Sequence, residues 1–152
     1  MNRTQATEVL QEARRARGLS FNTLATELGQ PPVWLTAALL GQHPMAPGLT
    51  QQLLDLLQIP QDQHPELIAV LKEVPMRGSF ETWPPTDPTV YRLYEVLQVY
   101  GPALKELLHE EFGDGIMSAI NFQLDLTRQA HPGGDRVVIT LNGKFLSYAW
   151  EL

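Results

Sequence analysis

The sequence predicts an α+β fold that is mainly α, and three observations support it. In the first half, apolar residues recur at helical spacing between glycines and prolines. In the last forty residues the apolar pattern changes to a period of two. Between these regions, residues 74–89 contain four prolines and no helical period. We therefore expect an N-terminal helical bundle, followed by a small C-terminal unit with two helices and an antiparallel β-hairpin.

Short helices account for the first half. Gly18 and Gly29 suit the end of a helix, because glycine adopts the left-handed conformation easily. Ser20 suits the N-cap of a helix that begins at Phe21. The predicted helices cover residues 7–17, 21–28, 31–40, 47–57 and 65–73.

A proline-rich connection separates the two predicted domains. We expect a helical N-terminal domain over residues 1–75, an extended linker over 76–87, and a catalytic and dimerisation domain over 88–152. The last domain should open with a helix from Pro88 to about Tyr100, with Asp87 as its N-cap. The dipeptide Gly101-Pro102 predicts a break there, followed by a second helix that ends near Phe112.

The chain ends in a predicted hairpin. Residues 121–129 and 136–141 alternate as half-buried strands do, and residues 131–134 form a loop. Asn142-Gly143 is typical of a two-residue hairpin turn. So small a sheet has edges that need covering, and pairing with a second copy of the chain would cover them.

The composition restricts the class of function. Charged residues make up only 18% of the 152 residues, which is consistent with surface buried between subunits. The formal net charge is −6, which disfavours binding to nucleic acid.

The chain contains no cysteine, so thiolate chemistry is excluded and a cytoplasmic location is expected. The first twenty residues contain no apolar run of the signal-peptide type, and no membrane span is expected. His109-Glu110-Glu111 lacks the second histidine of a zinc motif, so we expect no metal.

Residues 19–42 have the layout of a helix-turn-helix. The second helix of that layout would have to present polar side chains to DNA bases. Residues 33–40 carry no charge there, which favours a packing module. A DNA-binding regulator with a C-terminal dimerisation and ligand-sensing unit remains the main non-enzyme alternative.

On the predicted helix after Pro88, helical spacing predicts a core stripe of Leu93, Val96, Leu97 and Tyr100. Arg92 and Glu95 lie three residues apart beside this stripe. One interpretation is an ordinary surface ion pair. The other is an anion site, in which Arg92 binds the anion and Glu95 holds the guanidinium in place. Tyr91 and Tyr94 would make that guanidinium less hydrated.

Ser118 follows a glycine-flanked junction, Gly113-Asp114-Gly115. It could be a turn residue, or Ser118 and Asn121 could offer hydrogen-bond donors to a small anion. The lone G-x-G lacks a third glycine and a preceding strand, so a dinucleotide site is not supported. No histidine stands at a spacing that would support a hydrolase triad.

Two long segments of this sequence resemble the cyanase (cyanate hydratase, or cyanate lyase) family. They are YRLYEVLQVYG at residues 91–101 and FGDGIMSAINF at residues 112–122. The similarity covers nearly the whole chain, although the tail SYAWEL departs from the family's endings. The resemblance implies that cyanate and bicarbonate are converted to carbamate and carbon dioxide, with Arg92, Glu95 and Ser118 as catalytic residues.

The resemblance also implies no metal or organic cofactor, since bicarbonate is a co-substrate. It implies a decamer of five dimers with intertwined C-terminal strands and sites where subunits meet. The biological role would be cyanate catabolism and detoxification in nitrogen metabolism. A purely structural oligomer with an incidental Arg92–Glu95 pair remains a further alternative.

Overall fold

The computed structural model of the protein describes residues 1–78 and 83–149. Within these residues the chain forms six α-helices, a short 3-10 turn and one two-stranded antiparallel sheet, as the α+β prediction requires. The helices are α1 (Arg3–Ala16), α2 (Phe21–Glu27), α3 (Pro32–Leu39), α4 (Pro47–Leu56), α5 (His64–Lys72) and α6 (Pro88–Phe112). The 3-10 turn is Gln61–Gln63, and the strands are β1 (Gly115–Gln129) and β2 (Arg136–Ser147).

The chain divides into two compact units. The first unit comprises Met1–Gly78 and Leu124–Ile139, and the second comprises Ser79–Gln123 and Thr140–Leu152 as far as these are described. The second unit contains α6, the start of β1 and the end of β2.

Capping side chains define the starts of the helices in the first unit. Asn2 accepts a hydrogen bond from the Gln5 backbone N–H, and the Gln5 side chain accepts one from the Asn2 N–H. This capping box starts α1 at Arg3, earlier than predicted. Ser20 caps α2 as predicted, because its hydroxyl accepts from the Thr23 N–H at 3.0 Å.

Leucines form the core of the first unit. They are fully buried and come from all five helices, which explains why these short helices are stable together. The α3 helix contributes Leu35, Ala38 and Leu39 to this core and carries no charged residue. The largest side chains with almost no exposure are Leu10, Leu24, Leu35, Leu39, Met45, Leu53, Leu54, Leu67 and Leu71.

The α6 helix is continuous, so the predicted break at Gly101-Pro102 is wrong. Pro102 lies inside the helix of 25 residues, and the C-terminal unit has one long helix instead of two. A proline lacks only its own N–H, so one helical hydrogen bond is lost while the turns on either side continue. Asp87 caps the helix as predicted, accepting from the Thr89 and Val90 N–H groups at 2.9 Å.

The hairpin differs from its prediction in two ways. β1 begins at Gly115, so it includes Ser118, and β2 continues through Asn142 and Gly143. The predicted turn at Asn142-Gly143 is therefore wrong. The chain reverses between Gln129 and Arg136, and β2 stays paired with the start of β1, where the Tyr148 N–H donates to the Asp114 carbonyl at 3.1 Å.

The predicted core stripe of α6 is not buried within one chain. No residue of α6 is buried, and most of its large apolar side chains are at least half exposed. Val90, Tyr91, Tyr94 and Leu108 are partly buried. Leu93, Val96, Leu97 and Tyr100, predicted to face a core, are 50–59% exposed. None of the described helices is long and apolar enough to cross a membrane.

Candidate active site

Arg92 and Glu95 form an ion pair on the first turns of α6. The Arg92 Nη1 donates to Glu95 Oε2 at 2.6 Å, a length typical of a charge-assisted hydrogen bond. Because the two residues are three apart, they lie on the same side of the helix. The sequence prediction that Glu95 lies within reach of the Arg92 guanidinium is thus confirmed as geometry.

The carboxylate of Glu95 also changes the acid–base behaviour of Arg92. The pKa of Arg92 is raised above its ordinary value, first by the hydrogen bond that Arg92 donates to Glu95 and then by the opposite charge of that carboxylate. Arg92 is therefore a permanent cation. It can bind an anion without gaining or losing a proton.

Aromatic side chains lie beside this pair. The Arg92 guanidinium carbon lies 5.7 Å from the centre of the Tyr91 ring, and Tyr91 packs edge-on against Tyr94. Trp83 packs on the other side of Tyr94, with ring centres 4.9 Å apart. The guanidinium is nevertheless open to solvent in one chain, where the Arg92 side chain is 68% exposed. The two tyrosines alone therefore do not shield the Arg92 guanidinium from water as the sequence predicted, and further groups would have to cover it.

Ser118 lies in β1 and is 5% exposed, so the strand places a buried hydroxyl where the sequence allowed a turn residue. Its Oγ accepts hydrogen bonds from the backbone N–H groups of Ile120 at 3.1 Å and Asn121 at 2.9 Å. A serine hydroxyl has two acceptor positions and one donor hydrogen. With both acceptor positions occupied, Ser118 is left with its O–H to donate.

The Asn121 side chain is exposed, next to the residues that hold Ser118. It lines an open cavity of about 370 Å³ on the hairpin. Among the cavity's other residues, Lys144 supplies a cation and Gln123 a second amide. The remaining lining residues are Phe122, Asn142 and Gly143.

The structure thus brings the predicted residues together as two pairs. Arg92 contacts Glu95 on α6, and Ser118 contacts the backbone of Asn121 on β1. No hydrogen bond or ion pair within the described part of a single chain joins one pair to the other.

Sequence reasoning missed two residues near Ser118. Gly143 was predicted to form a turn but lies opposite Ser118 in the sheet. Lys144 follows it and lines the same cavity as Asn121. Extending the alternating pattern of β2 past Asn142 would have placed both residues in the strand.

The described residues contain no group of three or more histidine, aspartate or glutamate side chains placed to hold a metal ion. The donors at the candidate site are instead a guanidinium, a hydroxyl and an amide. These groups bind small anions through charge and hydrogen bonds.

Comparisons with known proteins identify the family. Residues 3–75 match the family described as "Cyanate hydratase, N-terminal", and residues 82–150 match the family described as "Cyanate lyase C-terminal domain". The chain belongs to the cyanate hydratase family. The predicted family and its lyase class are confirmed. The two alternatives, a DNA-binding regulator and an oligomer without activity, are therefore set aside.

Individual relatives agree with this family over the full length. The cyanate hydratase of Mycolicibacterium vanbaalenii is 57% identical over 150 residues, which cover 99% of this chain and 95% of that protein. The cyanate hydratase of Thiobacillus denitrificans is 47% identical, with 97% and 98% covered. The crystal structure of cyanase from T. urticae superimposes with a TM-score of 0.81 at 36% identity, covering 94% of this chain and 97% of that one.

Proposed function

We propose that this chain catalyses the bicarbonate-dependent decomposition of cyanate. Cyanate, bicarbonate and one proton give carbamate and carbon dioxide. The carbamate then takes up a second proton from water and decays to ammonia and a second carbon dioxide. The observation that carries the proposal is the Arg92–Glu95 pair at 2.6 Å in a chain of this family. It provides a permanent cation whose orientation is fixed by a neighbouring carboxylate.

Arg92 is proposed to bind the substrates and offset their charge. Cyanate and bicarbonate are both anions and repel each other in water, so bringing them together is a large part of the barrier. A guanidinium reduces that repulsion and presents several N–H donors in a fixed plane. Because Glu95 engages Nη1, the remaining N–H groups of Arg92 can face the substrates.

Ser118 is proposed to donate a hydrogen bond to a bound substrate. Its oxygen already accepts two backbone N–H groups, so its hydrogen can be offered to an anion. Asn121 is proposed to add an amide donor nearby. Donors held in place in this way are most useful where charge shifts as the bicarbonate oxygen attacks the cyanate carbon.

The site is proposed to be shared between chains. One Arg92 per chain is little positive charge for two anions, and no hydrogen bond in the described part of one chain joins Arg92 to Ser118. Contact between symmetric subunits would bring two copies of each residue together.

The second unit also needs a partner to bury its apolar surface. None of the described large apolar side chains in this unit is buried. A helix as long as α6 is not expected to remain with all its apolar side chains in water. These features support an oligomer, for which we propose the decamer of five dimers that the family resemblance implies.

The remaining predictions stay part of the proposal. They are a helical domain at 1–75, a linker at 76–87 and a catalytic domain at 88–152. They also include a cytoplasmic location, activity without a metal or organic cofactor, and no binding to nucleic acid. The α3 helix is consistent with the absence of nucleic-acid binding, because it has no charged side chain for a DNA contact.

The first experiment is a coupled ammonia assay with cyanate, run with and without added bicarbonate. We expect ammonia and carbon dioxide to form only when bicarbonate is present, with carbon dioxide exceeding ammonia. The carbon dioxide released directly should carry the label from isotopically labelled bicarbonate. A rate that does not depend on bicarbonate would indicate simple hydrolysis and would refute the proposed reaction.

A further inference from the structure

We propose that Gly143 is a positioning residue for Ser118. The inference rests on the proposed role of Ser118 as a donor to substrate. Gly143 lies on β2 opposite Ser118 on β1. Its lack of a side chain lets the β2 backbone approach Ser118 closely, and this approach fixes where the Ser118 hydroxyl sits.

The evidence is the space around the Gly143 α-carbon. A β-carbon added there would overlap the carbonyl oxygen of Ser118 and would lie 2.5 Å from Met117 Cγ and 3.2 Å from Phe122 Cδ2. The backbone of Gly143 is not in the left-handed region, so the need for glycine is one of space alone.

The Ser118 carbonyl and hydroxyl cannot move independently. The carbonyl begins the peptide unit that leads towards Ile120 and Asn121, whose N–H groups hold the Ser118 Oγ. A methyl group at position 143 must push this carbonyl away by about 1 Å, and a displacement of that size can reduce a rate about 100-fold. We therefore expect alanine at position 143 to misplace the hydroxyl while Ser118 itself is intact.

Gly115 provides a matched control in the same pair of strands. A β-carbon at Gly115 would overlap the carbonyl oxygen of Leu146 and lie 2.5 Å from Phe145 Cζ, but Ser118 is not among its nearest neighbours. Gly115→Ala should therefore disturb the sheet to a similar degree without pressing on Ser118. Gly101→Ala is a second control, because no atom lies within 4 Å of the added carbon.

The experiment measures kcat and KM for cyanate, the unfolding temperature and the mass in solution for Gly143→Ala, Gly115→Ala, Gly101→Ala and Ser118→Ala. We expect Gly143→Ala to lower kcat by about 10- to 100-fold. We expect it to lower kcat much more than Gly115→Ala does, with a similar change in unfolding temperature. The double variant Gly143→Ala with Ser118→Ala should be no slower than Ser118→Ala alone, since a missing hydroxyl cannot be misplaced.

Two results would overturn the proposal. One is a kcat for Gly143→Ala that matches that of Gly115→Ala. The other is a double variant in which the two losses multiply, which would make Gly143 and Ser118 independent. If Ser118→Ala keeps full activity, the proposed role of Ser118 fails first, and that outcome is distinct from a failure of Gly143 alone.

If Gly143→Ala does not fold, Met117→Ala with Gly143→Ala is compared with Met117→Ala. This pair removes the contact with the Met117 side chain and keeps the overlap with the Ser118 carbonyl. A loss of kcat confined to the double variant supports the proposal. If neither variant with alanine at 143 folds while Gly115→Ala does, Gly143 is a requirement of folding and the positioning role is refuted.

Discussion

Arg92 is an open cation held on one side by Glu95. Its other neighbours are the rings of Tyr91 and, through Tyr91, Tyr94. An ion pair this exposed contributes little to stability in water, so holding the fold together does not explain it. The sequence order, with Arg before Glu, is also the less favourable one for a helix. We propose that the pair serves anion binding instead, where a fixed and permanent charge is useful.

Replacement of Arg92 by leucine tests this role. We expect kcat/KM for cyanate to fall by about 100-fold or more, because the principal charge that offsets the two anions is removed. The mass in solution and the unfolding temperature should stay close to those of the unchanged protein. Lys105→Leu is the control, since Lys105 is an exposed cation of the same helix, paired with Glu106 at 3.7 Å. Near-normal turnover in Arg92→Leu would remove Arg92 from the mechanism.

At the residue scale, sequence alone could predict the ion pair but not the state of Ser118. Spacing on a helix determines that Arg92 and Glu95 meet. The Ser118 oxygen accepts two backbone N–H groups within the paired strand β1, and Gly143 of β2 lies close to the Ser118 carbonyl. The hydrogen bonding of Ser118 and its distance to Gly143 depend on how the two strands pair. The residues next to Ser118 in sequence do not predict that pairing.

The α6 helix carries the apolar stripe that its sequence predicts, but the stripe does not pack into a core of the same chain. The apolar spacing of Leu93, Val96, Leu97 and Tyr100 predicts a buried stripe. Within one chain that stripe lies in water, at 50–59% exposure. We propose that another subunit packs against this stripe and buries it.

Substitution of Leu97 by glutamate tests whether the stripe is an interface. If α6 packs against another subunit, a charge at this position has to leave water and the assembly should split into smaller species. Light scattering or native mass spectrometry across a range of concentrations would show the change, and turnover should fall with it. Lys105→Glu is the control, because it also introduces a carboxylate into α6 but at an exposed position that already carries a charge. An unchanged mass for Leu97→Glu would place the interface elsewhere.

The starts and ends of helices could be predicted from sequence where a capping residue sets them. Ser20 and Asp87 start their helices as expected, and Gly18 adopts a φ of 63° at the end of α1. Pro102 and Asn142-Gly143 misled the prediction because each signal is local. The surrounding helix continues past one missing hydrogen bond, and the pairing of β2 with β1 outweighs the turn preference of Asn-Gly.

The whole molecule has one well-packed unit and one that is open. The described hydrophobic core lies between Ala6 and Leu71, whereas both predicted pairs of site residues lie in the second unit. A chain with a net charge of −6 also repels the anionic substrates at long range. The proposed shared site would bring cations from several chains together, and its subunit contacts would cover apolar surface of the second unit.

Mixing two inactive variants tests the shared site most directly. Arg92→Leu and Ser118→Ala would be co-assembled with different tags, and complexes that contain both chains would be isolated and assayed. In a shared site, one intact Arg92 and one intact Ser118 come from different chains, so the mixed complexes should turn over cyanate faster than the two separate variants combined. A mixed complex as inactive as its parents, while a mixture of Arg92→Leu with the unchanged chain is active, would show that each site lies within one chain and would contradict the account.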